Sequence, residues 1–240
     1  MDDKFWFLKQ CSLFEKLTSS EIEEVESRSR MRKFAKGSVI YLPSDHSESV
    51  LLLISGRIKL YHLTPDGKQA LLALIDPGEL FGELAILEGG TREEFAEAME
   101  ASQVVAIPRS VIHELMETHA DVSLGVTRLL GLRRRRVERR LKSLLFRSNR
   151  ERLVHLLVEL LEKYGQREPD GVRIAIRLSH QDLANIIGST RETVTVLLGE
   201  LGYDRLLIIK KRKIYVPDPA RLANSIGLSE PSIPEKFNGH

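Results

Sequence analysis

The chain has 240 residues, 42% of them hydrophobic and 29% charged, and a formal net charge of +2. That length holds two modest domains with their own cores, and the composition is that of a globular protein rather than a disordered or fibrous one. No apolar run reaches the ~18 residues of a membrane span, MDDKFWFLKQ lacks a signal-peptide layout, and the single cysteine, Cys11, supplies neither an internal disulfide nor an iron–sulfur ligand set. A cytoplasmic protein without membrane partners is expected.

Charge is unevenly spread. Residues 76–121 hold eleven Asp/Glu against two Lys/Arg, whereas residues 128–150 hold ten Lys/Arg against one acid, Glu138. An acidic half joined to a basic one predicts that only the later half meets a polyanion. Residues 36–107 read as short strands punctuated by glycine, proline and aspartate. VLLLI (50–54) passes through Ser55-Gly56 into RIKLYHL, which alternates from Ile58 through Leu60 to His62. QALLALI follows the turn Thr64-Pro65-Asp66-Gly67, and VVAIP (104–108) closes the series. This pattern predicts an antiparallel sandwich or roll.

From Ser110 the period becomes helical, with a break at 119–121. Residues 122–145 form one long helix on which Leu130, Val137, Leu141 and Leu144 make an apolar seam. A heptad seam between two domains predicts a dimerisation element; an amphipathic helix packed on its own domain has the same pattern. Another helix over 149–164 stops at Gly165, GQREPDG (165–171) reads as a polar turn, and the tail SEPSIPEKFNGH as loosely attached.

The stretch LSHQDLANIIGSTRETVTVLLGELGYDRLLIIKKRKIYV (178–216) carries the most specific signal. Ser179 with Asp182, and Ser189 with Glu192, have the spacing of capping boxes, and Gly188 between them permits a tight turn. Leu183, Ala184, Ile186 and Ile187 form the buried side of the first helix; Val194, Leu197, Leu198 and Leu201 that of the second. Thr190, Arg191, Glu192 and Thr195 then point outward at the head of the second helix. Arginine can pair with guanine O6 and N7, and glutamate can accept from a cytosine amino group. A hairpin bearing Lys210, Lys211, Arg212 and Lys213 suits phosphates. Ser179, Gln181 and Ser189 complete the expected DNA-facing set. The layout is a winged helix-turn-helix.

SGRIKLY, PGELFGELAILEGGTR, the long helix, RERLVHLLVELLEKYG and LSHQDLANIIGSTRETVTVLLGEL together resemble the cyclic-AMP receptor protein/FNR (Crp/Fnr) family of bacterial transcription regulators, over nearly the whole length. The resemblance implies an α+β chain: an N-terminal cyclic-nucleotide-binding-type β-roll (jelly roll), a long dimerisation helix and a C-terminal winged helix-turn-helix. Expected boundaries are 1–120 for the roll, 121–147 for the helix, 148–225 for the DNA-binding domain and 226–240 for the tail. It also implies an effector site at Phe81, Gly82, Glu83, Leu84, Arg92 and Glu93. Two residues depart from the family pattern. Cyclic-AMP-binding members follow the cassette arginine with Ser/Thr and Ala, but here Glu93 and Glu94 follow Arg92, and a carboxylate beside a phosphate is a like charge. The second arginine of R-E-T-x-x-R is Val196, whose methyls could touch a thymine methyl.

The expected protein is therefore a non-enzymatic, homodimeric regulator that reads a near-palindromic operator in double-stranded DNA, with RNA polymerase or another regulator as its protein partner. Its effector is a small anion other than cyclic AMP. No metal site is expected, and the scattered histidines are assigned to structure rather than to haem. Cyclic di-GMP, a ligand of some members, is the candidate suggested by Arg133, Arg134, Arg135 and Arg136, because guanidinium groups pair with phosphates and guanine edges. The same run could instead answer the acidic 76–121 stretch. The rival reading is a second-messenger receptor that works through a protein partner, with DNA reading weakened at Val196.

Overall fold

The computed structural model describes Leu8, Cys11 and residues 13–65, 67–87 and 90–234. The chain divides into two compact units, Met1–Arg136 and Val137–His240.

The first unit opens with α1 (Ser19–Arg28), whose start is a capping box. The Thr18 hydroxyl accepts from the Glu21 amide, and the Glu21 carboxylate accepts from the Thr18 amide at 2.7 Å. Eight strands follow: β1 (Arg30–Phe34), β2 (Val39–Tyr41), β3 (Ser49–Ser55), β4 (Ile58–Leu63), β5 (Gln69–Ile75), β6 (Leu80–Phe81), β7 (Phe95–Ala98) and β8 (Ser102–Pro108), with a one-turn helix α2 (Leu84–Leu87) between β6 and β7. They form two antiparallel sheets, ordered β1-β8-β3-β6 and β2-β7-β4-β5.

β3 shows why the strands carry so many apolar residues. Side chains alternate between faces with period two. Leu51 and Leu53 enter the sandwich interior with Ile40, Tyr41, Ile58, Leu60, Ile75, Phe81, Ala96 and Val104. Val50, Leu52 and Ile54 face the opposite way, into a second core with Ile22 and Val25 of α1, Val111 and Ile112 of α3 (Arg109–Thr118), and Val122 and Val126 of α4 (Ala120–Phe146). A strand buried on both faces reads as a continuous apolar run. The expected break at 119–121 is the α3–α4 junction, where His119 Nε2 lies 2.7 Å from Glu21 Oε1.

The 27-residue α4 spans the division between the units. Of the expected dimer seam, Leu130 packs partly against the second core of its own roll. Val137 and Leu141 stay 67% and 55% exposed, beside the exposed Leu144, Leu145 and Phe146.

The second unit contains α5 (Asn149–Tyr164), β9 (Gly165–Glu168), β10 (Gly171–Ile174), α6 (His180–Ile187), α7 (Arg191–Tyr203), β11 (Ile208–Lys210), β12 (Lys213–Val216) and α8 (Pro219–Asn224). Its sheet runs β11-β12-β10-β9. The expected polar turn at 165–171 is half strand: β9 pairs with β10, and Arg173 Nε donates to Glu168 Oε1 at 2.5 Å. β9 has little apolar content, so its pairing leaves no hydrophobic alternation to find. In the tail, Pro231 is buried and Ile233 lies near Gly165, a closer attachment than the sequence predicts; residues 235–240 lie outside the described residues.

Candidate DNA-reading and effector sites

Local chemistry sets the helix-turn-helix. Ser179 caps α6 and forms the expected box with Asp182, the Ser179 amide donating to the carboxylate at 2.8 Å. Gly188 ends α6 at φ 68° and ψ 47°, a left-handed conformation that glycine adopts without steric penalty. The cap of α7 differs from the expected one. Thr190, not Ser189, accepts from the backbone of the residue three on, the Thr193 amide at 3.2 Å. The Ser189 amide instead bonds back to Ala184 O at 3.0 Å, which completes the α6 C-terminus and starts α7 one residue later. Glu192 is consequently released from capping.

Arg191 and Glu192 are exposed, and neither side chain has a hydrogen bond or ion pair among the described residues. Val196, one turn beyond Glu192, is 60% exposed. Thr195 is exposed but held: its hydroxyl donates to Arg191 O at 2.8 Å and lies 2.8 Å from His180 Nδ1, which must then be the donor. Ser179 is used by its capping box, and Gln181 Nε2 donates to Asn185 Oδ1 at 2.8 Å. Both have intramolecular partners but remain exposed.

Basic residues that a sequence assigns to a polyanion are partly used to hold these helices. Arg152 donates to Arg147 O, Ile187 O and Leu144 O at 3.0–3.2 Å. Arg140 donates to Asn185 O at 3.1 Å, and burial lowers its pKa from the ordinary value. Arg150 binds Asp204 at 2.7 Å, at the far end of α7. α6 is thus held at its C-terminus and α7 at its far end, with the Arg-Glu head of α7 left open. Nothing in the spacing of these arginines signals that division of labour.

The wing is the hairpin β11–β12, with Lys210 paired to Lys213 across it. Lys211 and Arg212 both have positive φ, 49° and 61°, the conformation of a two-residue type I′ turn. Lys211 and Arg212 are exposed at the tip and Lys213 is half-buried. Lys210 sits 3.2 Å from Asp170 and over the Tyr215 ring.

In the roll, Phe81, Gly82, Glu83 and Arg92 come together, but Arg92 does not pair with Glu93. It is buried. Its Nη1 donates to Gly82 O at 2.8 Å and Nη2 to Ser49 O at 2.5 Å. The guanidinium carbon lies 4.5 Å from the centre of the Tyr41 ring, whose hydroxyl donates to Glu94 Oε1 at 2.7 Å. Gly82 has φ 66°, and a Cβ there would collide with Arg92 Nη1. Burial lowers the Arg92 pKa, with Tyr41, Glu94, Glu83 and Asp45 acting in the opposite direction; burial, then Glu94, raises that of Tyr41. Glu93 and Leu84 face solvent. Tyr41 had no signal in the sequence, since only the pairing of β2 with β7 brings it here.

Arg133 is turned onto the same loop. Its Nη2 donates to Leu80 O at 2.8 Å, while its Nε lies 3.3 Å from Glu83 Oε1, out of line for a hydrogen bond and buried. Arg136 reaches Glu79 at 3.8 Å. Arg133 and Arg136 therefore answer the acidic 76–121 stretch; Arg134 is exposed.

No group of three or more His, Cys, Asp or Glu suited to a metal, and no helix long and apolar enough to cross a membrane, occurs among the described residues.

Comparison with known proteins bears on both sites. Residues 31–119 match the family model for a cyclic nucleotide-binding domain, and residues 151–225 that for a Crp-like helix-turn-helix domain. The global nitrogen regulator of Synechocystis sp. is 34% identical, over 79% of this chain and 85% of that protein. The chain belongs to the Crp/Fnr family. This Crp/Fnr-type transcription regulator is also 24% identical to the CRP-like cAMP-activated global transcriptional regulator of Mycobacterium tuberculosis, over 90% of this chain and 96% of that one. A CRP-family regulator from Thermus thermophilus superposes with a TM-score of 0.70 at 28% identity, covering 83% and 98% of the two chains. The c-di-GMP responsive global regulator of Xanthomonas campestris gives 0.74 at 23% identity, covering 83% and 99%, a likeness of fold.

Proposed function

We propose that this regulator binds as a homodimer to a near-palindromic operator, in the cytoplasm, with Arg191 and Glu192 as its base-reading head and Lys211 and Arg212 on phosphates. The open Arg191–Glu192 head on a helix held at its far end by Arg150 carries this reading. Arginine and glutamate present the donor and acceptor patterns that major-groove edges match. The exposed Val137–Phe146 surface supports pairing of two long helices. Selection from random double-stranded DNA is expected to enrich a palindrome with half-site centres about 34–36 Å apart. Enrichment of no palindrome sinks the reading and favours a receptor that acts through RNA polymerase or another protein partner.

The effector is, on this reading, an anion other than cyclic AMP. Support comes from Arg92, whose donors already serve two carbonyls, and from Glu93 and Glu94, which add negative charge where cyclic-AMP-binding members place small neutral residues. Cyclic di-GMP, suggested by the arginine run and by the description of the Xanthomonas protein, would have to draw Arg133 away from Glu83 and Leu80 O. Calorimetric titration with each nucleotide is the test: heat of binding at micromolar cyclic AMP removes the first statement, and heat with cyclic di-GMP reinstates the second candidate.

A further inference from the structure

A recess lies beside the cassette, in the same unit. Its volume is about 540 Å³, and it is lined by His46, Ser47, Glu48, Pro108, Arg109 and Ser110. That is within the range of small-molecule sites, roughly 300–1,000 Å³. Four features of its wall offer positive potential or hydrogen-bond donors, beside the acid Glu48. The recess opens at the N-terminus of the ten-residue α3, where Pro108 supplies no side-chain cap. The Arg109 amide bonds to Glu48 O at 2.9 Å, but the amides of the next residues face the positive end of the helix without a cap. Ser47 is only 6% exposed, yet its hydroxyl makes no hydrogen bond with any described residue. The hydroxyl oxygen itself is not sealed from solvent, so a group seated in the recess can reach it.

Arg109 is the fourth feature. Its Nε lies 3.2 Å from His113 Nε2, and that nitrogen lies 2.6 Å from Ile86 O. One ring nitrogen cannot donate to the carbonyl and accept from the guanidinium at once. With the Nε2–H tautomer, which the shorter contact favours, Arg109 Nε loses that acceptor and can turn to a ligand.

We infer that this recess binds the oxyanion group of a small metabolite, a phosphoryl or carboxylate, through Arg109, Ser47 and the first amides of α3. Glu48 accepts from a hydroxyl or amino group on the same molecule. The site deepens the effector half of the proposed function by placing the anion beside the cassette rather than in it. The backbone links the two: the Ser47 amide bonds to Gly90 O at 2.8 Å, and the Arg92 amide to Asp45 O at 2.8 Å. A ligand that pulls on Ser47 therefore strains the segment bearing Arg92.

The test uses the full chain, with inorganic phosphate and succinate as separate probes at constant ionic strength and chloride as control. Amide spectra are expected to show saturable shifts at Ser110 and Val111 with one probe, which assigns the group. Arg109→Gln should weaken that binding about tenfold and Ser47→Ala by a smaller factor, while Lys36→Gln, removing a positive charge elsewhere on the roll, leaves it intact. If Arg109→Gln unfolds, Ser47→Ala and the wild-type amide shifts still decide. No saturable shift with either probe, equal shifts with chloride, or binding indifferent to both substitutions overturns the proposal. Operator selection by the unliganded protein is read separately, so its failure would count against the DNA reading and not against this site.

Discussion

Arg191 lies at the first turn of α7 with no partner of its own, so the cost of removing it should fall on DNA and not on folding. Arg191→Ala is expected to lose about 1–3 kcal/mol of discrimination at a single base pair and to keep the wild-type Tm. Selection from random DNA, run side by side on both proteins, checks this; a uniform loss across all positions would instead make Arg191 a phosphate contact. Capping glutamates make a different prediction. Hydrogen bonds from the Thr18 side chain and then its amide hold the Glu21 carboxyl below the usual range, and those from Ser148 do the same for Glu151. Both folded pKa values lie below the unfolded one, about 4.3. The stability they contribute is therefore complete above that value and lost as pH falls through the lower folded values. Glu21→Gln and Glu151→Gln should lower the Tm at pH 7 and flatten its fall in acid. A parallel acid limb in both variants would show that the caps are not the source.

At the scale of elements, the wing is the strained piece. Lys211 and Arg212 occupy left-handed backbone that asparagine and glycine favour. Replacing both, as Lys211→Asn with Arg212→Gly, is expected to relieve about 1–3 kcal/mol of strain, offset in part by the freedom glycine adds to the unfolded chain. The same change should reduce the salt dependence of DNA affinity, by about 0.9 in logarithmic slope for each phosphate the wing no longer neutralises. A stabler hairpin with an unchanged slope would remove the wing from the DNA interface. Elements were legible where pattern and position coincide. α6 and α7 carry caps, a glycine stop and apolar faces within two dozen residues, and β3 announces its two buried faces by an unbroken apolar run. The register of the α7 cap was not legible, because Ser189 and Thr190 are adjacent hydroxyls and only the left-handed Gly188 decides between them. β9 is too polar to be seen. Tyr41, Arg92 and Glu94 meet through strand pairing across more than fifty residues, and no local pattern encodes that.

At the scale of the whole molecule, the question is what covers the end of α4. Val137, Leu141, Leu144, Leu145 and Phe146 expose apolar surface in the single chain, and a contiguous patch of that kind marks an interaction surface. Leu130, although in heptad register with Val137, is partly used by the core of its own roll. Substituting it would confound folding with association. Val137 and Leu141 have no such role, and charges there would face each other across a pair of parallel helices. Val137→Asp with Leu141→Asp is therefore expected to give a monomer of 27.2 kDa in sedimentation velocity, with unchanged helical circular dichroism. DNA binding should then fall to that of one half-site, losing the advantage that a second, tethered reading head supplies through effective concentration. The palindrome and an isolated half-site would bind the variant equally, whereas the wild-type protein is expected to prefer the palindrome. A variant that remains dimeric would move the dimer interface away from α4 and onto the roll.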